Sequence, residues 1–155
     1  VSCTGFVAPG MDYSLISGLK LRPTVARTHV GFMGCHGAMN GMRVANAFAT
    51  ADPAARVLVC AVELCSLHYY YGNAADKLIA NAIFADGAAA VVGQASGGRQ
   101  PPVFGGEQGA DAPRSPWSLL ASGSCLIPNS HDDMSWTVGD HGFEMALSRR
   151  VPGLI

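Results

Sequence analysis

Arg56-Val57-Leu58-Val59-Cys60-Ala61-Val62-Glu63 is apolar without a break from Val57 to Val62, the pattern of a strand buried on both faces in the middle of a sheet. Upstream, Thr28-His29-Val30-Gly31-Phe32 reads as a second, shorter strand. Between the two, Cys35, Ala38, Met39, Met42, Ala45 and Ala49 recur at helical spacing, while Asn40, Arg43, Asn46 and Thr50 gather on another face. This predicts an amphipathic helix ended by Asp52-Pro53, because a residue before proline is pushed out of the helical region. Strand, helix and strand in that order make a βαβ unit, with a right-handed crossover expected.

Outward from this unit, Pro9-Gly10 leads into a predicted helix from Asp12 to Leu19, with Asp12 as its cap and Arg22-Pro23 closing it. Asp76 to Phe84 reads as a further helix, and Asp86-Gly87 then opens an apolar strand from Ala88 to Val92. Gly93 to Ser115 is rich in Gly, Pro, Gln and Asp and reads as a connection. Trp117 to Ile127 and Trp136 to Leu147 read as two strands joined across residues 128–133. The expected organisation is an N-terminal portion over 1–93, a connecting loop over 94–115 and the start of a C-terminal portion over 116–155.

Composition narrows the function classes. At 155 residues and 49% hydrophobic content the chain can build the core of one ordinary domain. Only 14% of residues are charged, which favours buried α/β layers over a highly solvated surface. A formal charge of -1 supplies no electrostatic footprint for nucleic acid or an anionic membrane. No apolar run approaches the ~20 residues of a membrane span, and the first residues lack the features of a signal peptide, so a cytoplasmic location is expected. The five cysteines, Cys3, Cys35, Cys60, Cys65 and Cys125, are odd in number and show no C-x-x-C pair, and no His pair stands at ligand spacing. Neither a disulfide scaffold nor a metal site is expected; thiol chemistry or burial as small hydrophobes is left. The chain opens without Met inside a strand-like Val1-Ser2-Cys3-Thr4 and stops at Val151-Pro152-Gly153-Leu154-Ile155, with Pro152 where a helix would begin, so it reads as an excerpt of a longer subunit.

Gly31-Phe32-Met33-Gly34-Cys35-His36-Gly37-Ala38 puts a cysteine where a strand gives way to the first turn of a helix. Free backbone N–H groups and the positive end of the helix dipole converge there and stabilise a thiolate, and the same N–H groups can face an oxyanion. Gly34 and Gly37 permit a tight turn and close approach. A small residue packed at a helix start is the alternative. A hydrolase elbow of the G-x-C-x-G kind is a third, which Met33 breaks by standing where its first glycine belongs. His36 follows Cys35 directly, but adjacent helical residues point roughly 100° apart, so it is not placed to act as the base. His29, His131 and His141 read as surface or turn residues. Glu63 ends a buried strand and can anchor a hydrogen-bond network there.

Four segments carry a resemblance: Val1-Ser2-Cys3-Thr4-Gly5-Phe6, Gly34-Cys35-His36-Gly37-Ala38, the run from Arg56 to Ser66, and Asn81-Ala82-Ile83-Phe84-Ala85-Asp86-Gly87-Ala88-Ala89-Ala90. In order and spacing they resemble type III polyketide synthases, the chalcone and stilbene synthase-like family. The resemblance runs on to the terminal Val-Pro-Gly-Leu-Ile. It implies an α/β thiolase-like fold of αβαβα layers, here the end of its N-terminal half and the start of its C-terminal half, in a homodimer. It also implies decarboxylative condensation of an acyl-CoA starter with malonyl-CoA, with coenzyme A thioesters as substrates and no further cofactor.

Carried over residue by residue, Cys35 matches the acyl-carrying nucleophile and Phe84 the gatekeeper phenylalanine. Cys3, Cys65, His68 and Ala80 fall on cavity-wall positions, and Met145 stands where the family has a second phenylalanine. Plant chalcone synthases usually have Thr at the places of Cys3, Cys65 and His68 and Gly at that of Ala80. Cys65-Ser66-Leu67-His68 looks more like bacterial synthases of alkylpyrones, alkylresorcinols or tetrahydroxynaphthalene. The family's catalytic His and Asn are expected beyond Ile155, so the excerpt alone is expected to be inactive. The alternatives are an initiating β-ketoacyl-acyl carrier protein synthase and a non-catalytic module of the same fold.

Overall fold

A computed structural model describes residues 1–95, 118–140 and 142–154. The apolar run forms β1 (Arg56–Glu63), which pairs antiparallel with β2 (Gly87–Gln94) in a register that sets Arg56 opposite Gln94 and Glu63 opposite Gly87. On the other edge of β1 lies the N-terminal segment. The Val1 amino group donates to the Cys60 carbonyl at 2.7 Å and Val62 N–H donates to the Val1 carbonyl at 3.0 Å, the slanted pattern of a parallel pair. Ser2 in turn bridges Gly31 in parallel, its N–H donating to Val30 at 3.2 Å. The expected strand over 28–32 is thus reduced to a bridge at Gly31, and the βαβ crossover passes over an intervening segment, Val1–Cys3.

The crossover helix is α2 (Gly37–Ala51), which ends at Asp52 in extended backbone before Pro53, as the sequence predicts. Its packed face differs from the expected one. Gly37, Gly41 and Ala45 are buried, one turn apart, whereas Ala38 is exposed and Met39 is 63% exposed. A Cβ on Gly37 would meet Val1 Cγ1 at 3.0 Å, and one on Gly41 would meet Val1 Cγ2 at 2.9 Å and Val59 Cγ1 at 3.2 Å. Hydrophobicity marked the longer side chains, but the close approach of helix to sheet selects the smallest ones.

Helix α1 (Met11–Gly18) is capped at Gly10, not at Asp12. Asp12 sits in the first turn and pairs instead with Arg27, which holds its carboxyl below the usual carboxylate range. Helix α3 (Ala75–Ile83) precedes β2 as expected. Asn81 fastens it to the preceding loop, accepting from Tyr70 N–H at 3.1 Å and donating to the Tyr70 carbonyl at 2.7 Å.

Two expectations for the C-terminal part are corrected. Residues 118–127 form no strand, and Trp117 lies outside the described residues. Trp136 to Leu147 is not one strand but the larger part of a hairpin, β3 (Met134–Gly139) and β4 (Gly142–Leu147), with Gly139 opposite Gly142. The register of the pair, with Gly139 facing Gly142, places the reversal between them, a short loop that lacks the Asn-Gly or Asp-Gly signature of a two-residue hairpin turn. The connecting loop expected over 94–115 begins with the last residue of β2, and beyond residue 95 it lies outside the described residues. β4 packs against α3.

Candidate active site

Cys35 stands in a single 3-10 turn, Gly34–His36, that runs directly into α2. Gly34 makes the entry possible: its φ of +70° is in the left-handed region that a side chain disfavours. Cys35 is exposed, so it is not the packed small residue that its position alone would allow. The role of Gly37 is different from that of Gly34, since it lets Val1 approach and keeps an ordinary helical φ of -53°.

Two of the thiols named from the sequence lie beside this turn. Cys3 Sγ is 3.8 Å from the Gly34 carbonyl, a weak S–H donor contact. Cys65 opens a second 3-10 turn, Cys65–His68, which follows β1. Partial burial pushes the Cys65 thiol above its ordinary value, and negative charge at Glu63, Asp86 and Cys35 adds to the effect. Cys65 therefore stays protonated at neutral pH beside Cys35. Cys60 is half-buried within β1, and Cys125 is exposed in the segment before the hairpin.

Glu63 organises the residues beside this turn. Its carboxylate accepts Cys3 N–H at 3.0 and 3.1 Å, Thr4 N–H at 3.0 Å and the Thr4 hydroxyl at 2.7 Å. Thr4, buried, accepts Leu64 N–H on the same hydroxyl oxygen at 2.7 Å. The Thr4 carbonyl meets His68 Nε2, and because a carbonyl only accepts, Nε2 carries the proton. The His68 ring then stands edge-on to Trp136 (centroids 4.9 Å, 88°) and to Phe143 (5.0 Å, 81°). Thr4 and Trp136 are the residues that sequence reading missed: nothing in their own neighbourhoods announces contacts made 64 and 68 residues away.

The remaining wall candidates fall on adjoining elements. Ala80 is buried on α3, and Phe84, half-buried, ends that helix by donating its N–H to the Ala80 carbonyl at 3.0 Å. Two residues on, Asp86 accepts Ser66 N–H at 2.8 Å and the Ser66 hydroxyl at 2.6 Å, tying the end of α3 to the Cys65–His68 turn. Those two bonds, the hydroxyl's first, hold the Asp86 carboxyl below its ordinary value. Met145 lies opposite Trp136 in the hairpin, half-buried on the same side of β4 as Phe143. Cys3, Cys65 and His68 are thus brought together around Glu63 and Thr4, and Ala80, Phe84 and Met145 lie on elements fastened to them. A hollow of about 570 Å³ lies elsewhere, among Thr4, Phe6, Asp12, Arg27, Val62 and Leu64, and Cys35 does not line it. His29 and His131 are exposed as expected, while His141 is outside the described residues.

The sequence profile for the N-terminal domain of chalcone and stilbene synthases matches residues 1–96. The chain belongs to the chalcone and stilbene synthase family. Among its curated relatives, the alpha-pyrone synthesis polyketide synthase-like Pks18 of Mycobacterium tuberculosis is 34% identical over 152 residues, 98% of this chain and 36% of that protein. The 1,3,6,8-tetrahydroxynaphthalene synthase of Streptomyces griseus is 30% identical over 154 residues, 99% of this chain and 37% of that protein. Among solved structures, PKS-I of the brown alga Ectocarpus siliculosus superposes with a TM-score of 0.81 at 34% identity, covering all of this chain and 38% of that one. The tetrahydroxynaphthalene synthase of Streptomyces coelicolor gives 0.77 at 31% identity, covering 98% and 39%. The fold is therefore that of the type III polyketide synthases, α/β and thiolase-like, as the resemblance implied. The chain spans under two-fifths of the length of these relatives. Among the described residues no group of His, Cys, Asp and Glu is arranged to hold a metal ion, and no helix is long and apolar enough to cross a membrane.

Proposed function

We propose that the protein containing this chain is a type III polyketide synthase, of the kind seen in bacterial alkylpyrone and alkylresorcinol formation, and that Cys35 carries the growing acyl chain. The observation that carries this reading is an exposed cysteine on the turn into α2, in a chain of this family. Cys35 thiolate takes the acyl group of a starter thioester and releases coenzyme A. A malonyl-CoA extender loses carbon dioxide, and the enolate so formed attacks the Cys35 thioester carbonyl. A new carbon–carbon bond forms as the C–S bond to Cys35 breaks, and the free thiolate is ready for reloading. Because decarboxylation supplies the carbanion, the site needs oxyanion stabilisation more than a strong base. Cys3, Cys65, His68, Ala80 and Met145 line the cavity, and Phe84 stands at its mouth. The His and Asn partners come from later in the family's chain.

The enzyme on this reading takes no cofactor beyond its thioester substrates, works in the cytoplasm, and is a homodimer. The dimer on this reading rests on the family match. Named relatives are polyketide synthases, so this reading is preferred to the initiating β-ketoacyl synthase and to the non-catalytic module. The deciding experiment is mass spectrometry of the whole protein after exposure to an acyl-CoA starter. An acyl adduct on the Cys35 peptide, discharged to product on adding malonyl-CoA, is expected. Failure to acylate Cys35, or an adduct on Cys125 instead, would sink the assignment.

A further inference from the structure

Among the described residues Glu63 makes no hydrogen bond to the nucleophile's turn, yet one path from the end of β1 to the hairpin runs through it. On its two oxygens it gathers the Cys3 N–H, the Thr4 N–H and the Thr4 hydroxyl, and the Thr4 carbonyl holds His68 Nε2–H. The His68 ring is fixed between Trp136 and Phe143, and Trp136 faces Met145 in the register of the hairpin. Resting on the reading of Cys3, His68 and Met145 as cavity wall, we propose that Glu63 is a positioning residue for starter selection, acting through Thr4 and His68.

The chemistry of the contact explains why a carboxylate is needed. A carboxylate is acceptor-only, and here both oxygens are engaged by donors that belong to one short stretch of backbone. Charge-assisted bonds of this kind are about twice as strong as neutral ones, so they define the position of Cys3 and Thr4 sharply. A glutamine presents one acceptor and turns an NH2 toward the Cys3 N–H. The segment must then shift or rotate, and the Thr4 carbonyl moves with it. His68 follows, because among the described residues its ring is otherwise held by two edge-on aromatic packings, which slide more easily than a hydrogen bond stretches. The effect reaches the space where an acyl chain would lie, while the turn Gly34–His36 keeps its main restraints, the backbone of Gly34 and the packing of α2 on Val1 and Val59, and is tied to Cys3 only by a weak 3.8 Å thiol contact.

The test uses the whole protein with substitutions E63Q, T4V and T4S, and reads kcat/KM for long against short acyl-CoA starters. The inference expects E63Q and T4V to change the long-to-short ratio by about tenfold or more, the effect of a methylene or two in an apolar pocket. T4S, which keeps the hydroxyl, should match the parent. A general loss of stability would lower all starters together and leave the ratio alone. An unchanged ratio in folded E63Q and T4V overturns the inference while the function stands. Loss of folding in both, judged by circular dichroism, overturns it too, because the clasp would then hold the fold and not the wall. If the unaltered protein forms no acyl adduct on Cys35, the proposed function falls and this inference with it.

Discussion

Gly41 comes so close to Val1 that a Cβ placed on it would stand 2.9 Å from Val1 Cγ2, with Val59 Cγ1 at 3.2 Å on the other side. Methyl groups on a β-branched carbon have little freedom to turn away, so a larger residue at Gly41 must push α2 off the sheet. The turn bearing Cys35 runs straight into that helix and would move with it. Gly41→Leu should therefore cost about 1–3 kcal/mol through overpacking, even after gaining up to about 1 kcal/mol of helix propensity. Urea unfolding of the whole protein measures this, and a midpoint equal to the parent's would show that the helix face is not tight.

Asp86 provides a pH-dependent latch between the end of α3 and the Cys65–His68 turn. Its folded pKa is lowered, so ionisation favours the folded state. The contribution is fully present above the unfolded aspartate value of about 3.9 and is lost as pH falls through the lower folded value. The stability difference between the parent and Asp86→Asn should be constant above about pH 5 and shrink below pH 4. Because the carboxylate is exposed the difference should be small, and a difference that grows on acidification would contradict the latch.

Thiol reactivity should separate Cys35 from Cys65. Burial and neighbouring negative charge keep Cys65 protonated, and only the thiolate is alkylated quickly. Limited iodoacetamide treatment at pH 7.5, followed by peptide mapping, should find Cys35 modified before Cys65, with condensing activity lost in step with Cys35. Inactivation that tracks Cys60 or Cys125, with Cys35 intact, would remove Cys35 from the chemistry.

Ala80 is buried on the helix that meets β4, the strand carrying Met145. Interiors are packed to near crystal density, so Ala80→Leu should narrow the space beside it and disfavour long starters or late extensions. The preference should change by roughly tenfold to a few hundredfold, at ~1 to 3 kcal/mol per methylene. A product profile against a ladder of acyl-CoA starters checks it, and an unaltered profile in a soundly folded variant would place the Ala80 side chain outside the cavity.

Local information was enough for much of this. The helix α2, its stop at Asp52-Pro53, the strands β1 and β2 and the placing of Cys35 at a helix entrance each depend on residues within a turn or two of one another. Periodicity and the stereochemistry of glycine and proline report such things directly. The same reading failed in the C-terminal part. The segment from Trp136 to Leu147, read as one strand, turns back on itself between Gly139 and Gly142, and the strand expected up to Ile127 did not form.

What the amino-acid order determined by itself was therefore α1, α2, α3, β1 and β2, their order along the chain, and the family to which the Cys35 turn belongs. What only the tertiary structure decided was which surfaces meet. Val1–Cys3 slots between Gly31 and β1, the glycine face of α2 displaces the methionine face, and Glu63 closes on Thr4 from 59 residues away. Pairing edges, close-packed faces and buried donors find their partners through space, and a partner distant in the chain leaves no mark on the local pattern that a single sequence offers.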